Sequence, residues 1–154
     1  MPLISPHVVH LEPQESIAVR GEVPRAELAA FFEDAFHQAA AQAQEAGLEI
    51  VGPPFGFYPR MPDETVEVEA GFPVSRPADP RDGAHRLVLP GGRAVEAIHV
   101  GPYDTMERSY GELVAWMSEQ GLEPAAQVWE TYLSDPESHP DPSTWQTRIV
   151  WPVG

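Results

Sequence analysis

The sequence predicts an α+β fold of two similar βαββ halves, and three observations carry that expectation. Two amphipathic helical stretches occur at matching places, strand-like patterns surround each of them, and short runs of residues recur in the same order. From Pro24 to Ala46 the apolar residues Leu28, Phe31, Phe32, Ala35, Phe36, Ala39 and Ala43 fall at three- and four-residue intervals, one face of a helix. Pro24 suits the first turn and Gly47 the left-handed position just past the end. A second helix is expected from Asp104, with Glu107 completing a capping box, to Gly121. Its buried face would be Met106, Tyr110, Leu113, Val114 and Met117.

Strands are expected over Ser16 to Gly21 and Ala94 to Val100 ahead of the helices. The aromatic stretches Phe55-Gly56-Phe57-Tyr58 and Trp129-Glu130-Thr131-Tyr132 follow them. Thr65 to Gly71 alternates Val66, Val68 and Ala70 with Glu67 and Glu69, and Gln146 to Trp151 is its counterpart. Gly47-Leu48-Glu49 recurs as Gly121-Leu122-Glu123, and Phe72-Pro73-Val74 as Trp151-Pro152-Val153. The halves are thus repeat 1 over about 15–75 and repeat 2 over about 93–154. The Pro- and Gly-rich linker, about 76–92, joins them, with Leu87 to Leu89 able to extend a strand. This linker and the acidic loop Ser134 to Ser143 are expected outside the core.

At 154 residues the chain has the size of one domain, 1–154. No apolar run approaches the ~20 residues that span a bilayer, and the N-terminus lacks the flanks of a signal peptide. A soluble cytoplasmic protein without a membrane partner is expected. The absence of cysteine excludes disulfides, thiolate zinc sites and a cysteine nucleophile. Twenty-four acidic residues against nine arginines and no lysine give a net charge of −15, which repels phosphates and argues against direct nucleic-acid binding. The six histidines are too scattered for a metal motif, and there is neither a Gly-x-Ser-x-Gly elbow nor a phosphate loop. No metal and no cofactor are expected.

Gly101-Pro102-Tyr103-Asp104, the helix through Trp116, Gly121-Leu122, Trp129-Glu130-Thr131-Tyr132 with Asp135-Pro136, and Thr147-Arg148-Ile149 with Pro152 form an ordered series. With Gly71-Phe72-Pro73-Val74 and Leu89-Pro90-Gly91-Gly92, that series resembles the GyrI-like, or bacterial transcription-activator effector-binding, domains. The resemblance implies a curved antiparallel sheet with the two helices on one side, a ligand pocket between the halves, and binding of lipophilic, often cationic compounds. In regulators of that family the domain follows a DNA-binding helix-turn-helix. Only about a dozen and a half residues precede the first expected strand here, too few for that motif. A stand-alone binding protein or small enzyme is therefore expected.

Glu130 interrupts an apolar strand, and period-two alternation puts Val128, Glu130 and Tyr132 on one face. Spacing alone reads it as a surface glutamate; the resemblance makes it the acid that meets ligands. Counting from Gly47 and Gly121, Glu130 aligns with Gly56 and Tyr132 with Tyr58, so the two tyrosines are expected to face each other beside one acid and one glycine. The glycine either leaves room for a ligand or marks a close backbone approach. Ligand-contacting candidates are Glu130, Tyr132, Tyr58, Phe57, Tyr103, Trp116 and Trp151, with core packing the alternative for each aromatic. Trp129, of opposite parity, is expected under the helices. The first functional reading is a protein that binds lipophilic, cationic or aromatic small molecules for sensing, sequestration or drug resistance. The alternative, which the resemblance suggests, is hydrolysis of cyclopropane-bearing natural products. Glu130 would then be the general base and Tyr132 or Tyr58 the donor to a developing oxyanion. A third is a module contacting gyrase or a separate regulator; the dispersal of acidic charge over many loops weakens it.

Overall fold

The computed structural model describes residues 3–60, 64–77, 83–134 and 140–153, apart from the side chains of Leu3, Ile4 and Asp104. Eight strands form one open antiparallel sheet: β1 (Leu3–Leu11), β2 (Gln14–Pro24), β3 (Phe55–Tyr58), β4 (Thr65–Pro73), β5 (Ala84–Leu89), β6 (Gly92–Val100), β7 (Val128–Tyr132) and β8 (Gln146–Pro152). Their order across the sheet is β1-β6-β8-β7-β3-β4-β2-β5. Helix α1 (Leu28–Glu45) follows β2 and α2 (Met106–Glu119) follows β6. Each helix is entered through a short 3-10 turn, Arg25–Glu27 or Tyr103–Thr105. Among the described residues no helix is long and apolar enough to cross a membrane.

The order is symmetric about the β7–β3 joint. From that joint outward one side reads β7, β8, β6, β1 and the other β3, β4, β2, β5. The outermost strands are crossed. β1 leads into the first half yet pairs with β6 of the second, and β5 leads into the second yet pairs with β2 of the first. Each half therefore completes the other's sheet edge.

β1 is not among the expected strands, while Leu87 to Leu89 does lie in a strand, as expected, that starts earlier at Ala84. β1 is broken by a bulge between Ile4 and His7, with Ser5 in a left-handed conformation at φ 54°, and the bulge shifts the alternation that marks a strand. β5 lies within the linker expected outside the core, yet its last residue, Leu89, is buried with Phe55 and Trp129. The helix starts also differ. Pro24 ends β2 instead of occupying a first helical turn, and α2 begins behind Thr105 without a side-chain cap. The capping box expected from Asp104 falls on a side chain outside the described residues. The middle of the acidic loop, 135–139, lies outside them too. At the helix C-termini Gly47 and Gly121 take φ of 68° and 71°, the left-handed stops that were expected.

Both helices cover the same sheet face. Ala35, Ala39 and Ala43 of α1 bury against Ile17, Val19 and Ala70, while Met106, Leu113 and Met117 of α2 bury against Val95, Ala97 and Ile149. Val114, expected on the buried side of α2, is 44% exposed. Small residues on α1 let it approach β2 and β4 closely. Gly71 of β4 permits a tighter contact still, since a Cβ there would lie 1.8 Å from the carbonyl oxygen of Ile17. We expect Gly71→Ala to cost about 3 kcal/mol by urea unfolding. Gly111→Ala in α2, where a methyl meets nothing within 4 Å, should instead stabilise by about 0.5–1 kcal/mol.

Candidate functional site

The centre of the sheet brings Glu130 directly opposite Gly56 across the β7–β3 joint. Ala97, Ile149, Glu130, Gly56 and Ala70 form one row over five strands, all facing the helices. α2 rises on one side of this row and α1 on the other, so the carboxylate sits at the floor between them. It is 9% exposed.

Three tyrosine hydroxyls converge there. Tyr110 of α2 donates to Glu130 Oε2 at 2.5 Å and Tyr132 donates to Oε1 at 2.9 Å. The Tyr58 hydroxyl lies 3.4 Å from that of Tyr132. The fourth and last tyrosine of the chain, Tyr103, places its ring edge-on to Tyr132 at 5.8 Å and against Trp145 at 4.9 Å. Being 42% exposed, it forms the rim. From α1, Phe32 and Phe36 close on Tyr132 with ring centroids at 5.6 and 6.2 Å.

The duplication explains why the polarity is one-sided. Tyr58 and Tyr132 are 74 residues apart, and the same step relates Gly56 to Glu130 and Phe36 to Tyr110. Phe36 packs on Phe72 at 5.8 Å where Tyr110 packs edge-on to Trp151 at 5.7 Å. The second half thus carries both the acid and its helix-borne donor, while the first keeps glycine and phenylalanine at those places. By its helical spacing Tyr110 is expected only on the buried face of the second helix. The Phe36 to Tyr110 exchange in the repeat is the signal that finds it, because a buried tyrosine hydroxyl needs a partner.

Burial pushes the Glu130 carboxyl above its ordinary range, and the hydrogen bonds from Tyr110, Tyr132 and Tyr58 act against that rise. Burial, and then the charge of Glu130, hold the three tyrosine hydroxyls well above their usual value, so they remain donors. Among the described residues no arginine or histidine forms an ion pair with Glu130. Nor does any group of three or more histidine, aspartate or glutamate side chains there suit a metal ion.

Other expected site residues are distributed differently. Trp151 lines the helix side through its contact with Tyr110, and its Nε1 donates to the Ala125 carbonyl at 2.8 Å. Trp116 is half-buried and packs on the core beneath α2. Phe57 is turned to the helix-free face, where it meets Trp129 at 6.0 Å. Trp129 accordingly does not lie under the helices as expected; its parity opposes that of Glu130, and the helices cover the face of Glu130. Gly56 marks a close approach and not free space, since a Cβ there would lie 2.8 Å from the Tyr132 hydroxyl and 3.0 Å from Phe32. An open cleft of about 340 Å³ exists on the helix-free face instead, over Phe55, Trp129, Thr131 and Arg148.

A carboxyl raised by folding keeps its proton in the native state at pH values where the unfolded chain has lost it. Its contribution to stability therefore falls as pH rises from the ordinary carboxylate range through the raised value. Thermal melts between pH 4 and 8 should show wild type losing stability relative to Glu130→Gln as pH rises through that window. A constant difference between the two proteins across the range would contradict the burial effect.

The model of the GyrI-like small molecule binding domain matches residues 5–154. No curated protein matches the chain in sequence. Among solved structures, the C-terminal domain of EcmrR superposes with a TM-score of 0.83 at 22% identity, over 97% of this chain and 97% of that one. The chain spans 58% of the EcmrR chain in its DNA complex. SAV2435 bound to tetraphenylphosphonium matches with a TM-score of 0.65 at 10% identity, over 98% and 94% of the two chains. A hydrolase from Listeria innocua matches with 0.66 at 16%, over 97% and 91%. With two βαββ halves, an open antiparallel sheet and a family match over almost its whole length, the chain belongs to the GyrI-like small molecule binding domains.

Proposed function

We propose that this chain binds lipophilic cations, with the Glu130 carboxylate as counter-charge and the surrounding tyrosine and phenylalanine rings as walls. The observation that carries the reading is a buried carboxylate that, among the described residues, is held by neutral tyrosine hydroxyls and by no cation. Removing a carboxylate from water without a cation is costly, and a ligand that brings the positive charge recovers that cost. Aromatic faces add attraction for a diffuse cation. SAV2435, which shares the fold, is described with such a cation, tetraphenylphosphonium. Tyr103, exposed at the rim, is the ring whose displacement would admit the ligand. Such binding would serve sensing, sequestration or drug resistance.

Titration calorimetry with aromatic cations and their uncharged isosteres tests the reading. Glu130→Gln should weaken cation binding about 10- to 100-fold, equivalent to about 1–3 kcal/mol, and leave neutral isosteres nearly unchanged. Equal affinities across all four combinations would remove the charge pairing. Because the cation favours ionised Glu130, affinity should fall as pH is lowered through the raised carboxyl value, and binding there should release a proton.

A second reading is favoured by the juxtaposition of a carboxyl of raised pKa with tyrosine donors, and by the fold shared with a hydrolase from Listeria innocua. Glu130 would take a proton from water as the water oxygen attacks a strained cyclopropane carbon. The breaking ring bond would pass its electron pair to the conjugated carbonyl, whose oxygen accepts a hydrogen bond from Tyr132 or Tyr58. Mass spectrometry of a cyclopropane-bearing electrophile incubated with catalytic amounts of protein decides it. Ring-opened product over many turnovers, absent in Glu130→Gln while binding persists, is the expected result, and stoichiometric capture without turnover discards it.

A further inference from the structure

Thr147 of β8 faces the helices in the row His99–Thr147–Tyr132, one step along the strands from the row that contains Glu130. It is 0% exposed, and among the described residues its hydroxyl has no hydrogen-bond partner. Buried hydroxyls are ordinarily paired, so this one calls for an account.

Its cross-strand neighbours supply part of it. Side chains directly opposite in a sheet have Cβ atoms roughly 5 Å apart, so either neighbour could serve the hydroxyl. His99, itself 0% exposed, has both ring nitrogens engaged elsewhere. Nδ1 lies 2.6 Å from Ser109 Oγ on α2, and Nε2 lies 3.0 Å from the Pro102 carbonyl oxygen. With Nε2–H donating to that carbonyl, Nδ1 accepts from Ser109. On the other side, Tyr132 turns its hydroxyl to Glu130. Both neighbours spend their polar atoms on the walls of the site, one by anchoring the turn that carries Tyr103 and the other by capping the acid.

Thr147 also lies close, in sequence and register, to the aromatic rim of the site. Trp145, two residues earlier on the same chain, holds the Tyr103 ring, and Tyr103 in turn leans on Tyr132, the cross-strand partner of Thr147. Thr147 is the diagonal neighbour of Glu130 on β8, and diagonal Cβ atoms are roughly 7 Å apart.

We infer that Thr147 is a second polar contact for the ligand of Glu130, and that the preferred ligand class is a lipophilic cation bearing a hydroxyl, ether or carbonyl oxygen two or three bonds from its charged centre. This rests on the cation-binding reading of Glu130. Held without a partner in the free protein, the hydroxyl is ready for a ligand oxygen and discriminates against cations of the same shape that lack one.

The test compares triphenyl(2-hydroxyethyl)phosphonium with triphenyl(propyl)phosphonium by titration calorimetry on wild type, Thr147→Val, Thr147→Ser and Glu130→Gln, with thermal melts of each free protein. Wild type should prefer the hydroxyethyl compound by roughly three- to tenfold. Thr147→Val should abolish the preference without weakening the propyl compound, and Thr147→Ser should keep it. Free Thr147→Val should melt no lower than wild type, because valine fills the same space without a buried unpaired hydroxyl. A preference that survives in Thr147→Val, or a lower melting temperature for that variant, overturns the inference. If both phosphonium ions bind in a Glu130-dependent manner without any preference, only the Thr147 contact fails. If neither binds wild type, the cation reading fails and the contact with it.

Discussion

A carboxylate withdrawn from water and, among the described residues, left without a positive partner is the constraint around which the centre of this protein is organised. Ionised Glu130 is tolerable only because hydroxyl donors reach both its oxygens, and each donor comes from a different element: Tyr132 from its own strand and Tyr110 from α2. The sheet must hold β7 beside β3, α2 must lie close enough for Tyr110 to touch the floor, and Gly56 must lack a side chain so that the Tyr132 ring can fold over it. The apolar clusters under each helix serve this geometry by fixing the distance from helix to sheet.

Duplication supplies the frame, and departure from it supplies the chemistry. A symmetric pair of halves would place two acids, or none, against each other at the joint; two carboxylates there would repel and one would hold its proton. Substituting glycine for the acid and phenylalanine for the tyrosine in the first half leaves a single charge with one polar wall and one apolar wall.

The repeated order of strand, helix and two strands was legible because each element obeys its own periodicity and because Gly47 and Gly121 punctuate the helices in the same way. The placement of Tyr58 near Tyr132 followed from counting between the halves. What escaped the sequence was set by contacts between distant segments. β1 alternates poorly across its bulge, β5 is short and surrounded by turn residues, and neither shows in sequence which strand it pairs with. The side of the sheet that Trp129 takes differs from the expected one because a strand with bulky apolar groups on both sides does not declare which is covered; Phe57 and Trp129 make a second apolar layer of their own. Tyr110 was visible as a buried position, but its hydroxyl acquires meaning only once Glu130 lies beneath it.

The crossed outer strands have a consequence for how the chain acquires its shape. β1 is made before any other strand, yet the backbone it bonds to, from Gly92 to His99, is made only after the whole first half. During synthesis that strand must wait with its hydrogen-bonding groups in water, and the first half stands with β2 as a bare edge until β5 follows. Loop-closure entropy must be met before either pairing returns any stability, and the longer β1–β6 loop carries the larger share of it. The two outer pairings therefore belong to different stages: β5 can close the edge of the first half before the second half exists, whereas β1 is tied to a strand of the second half.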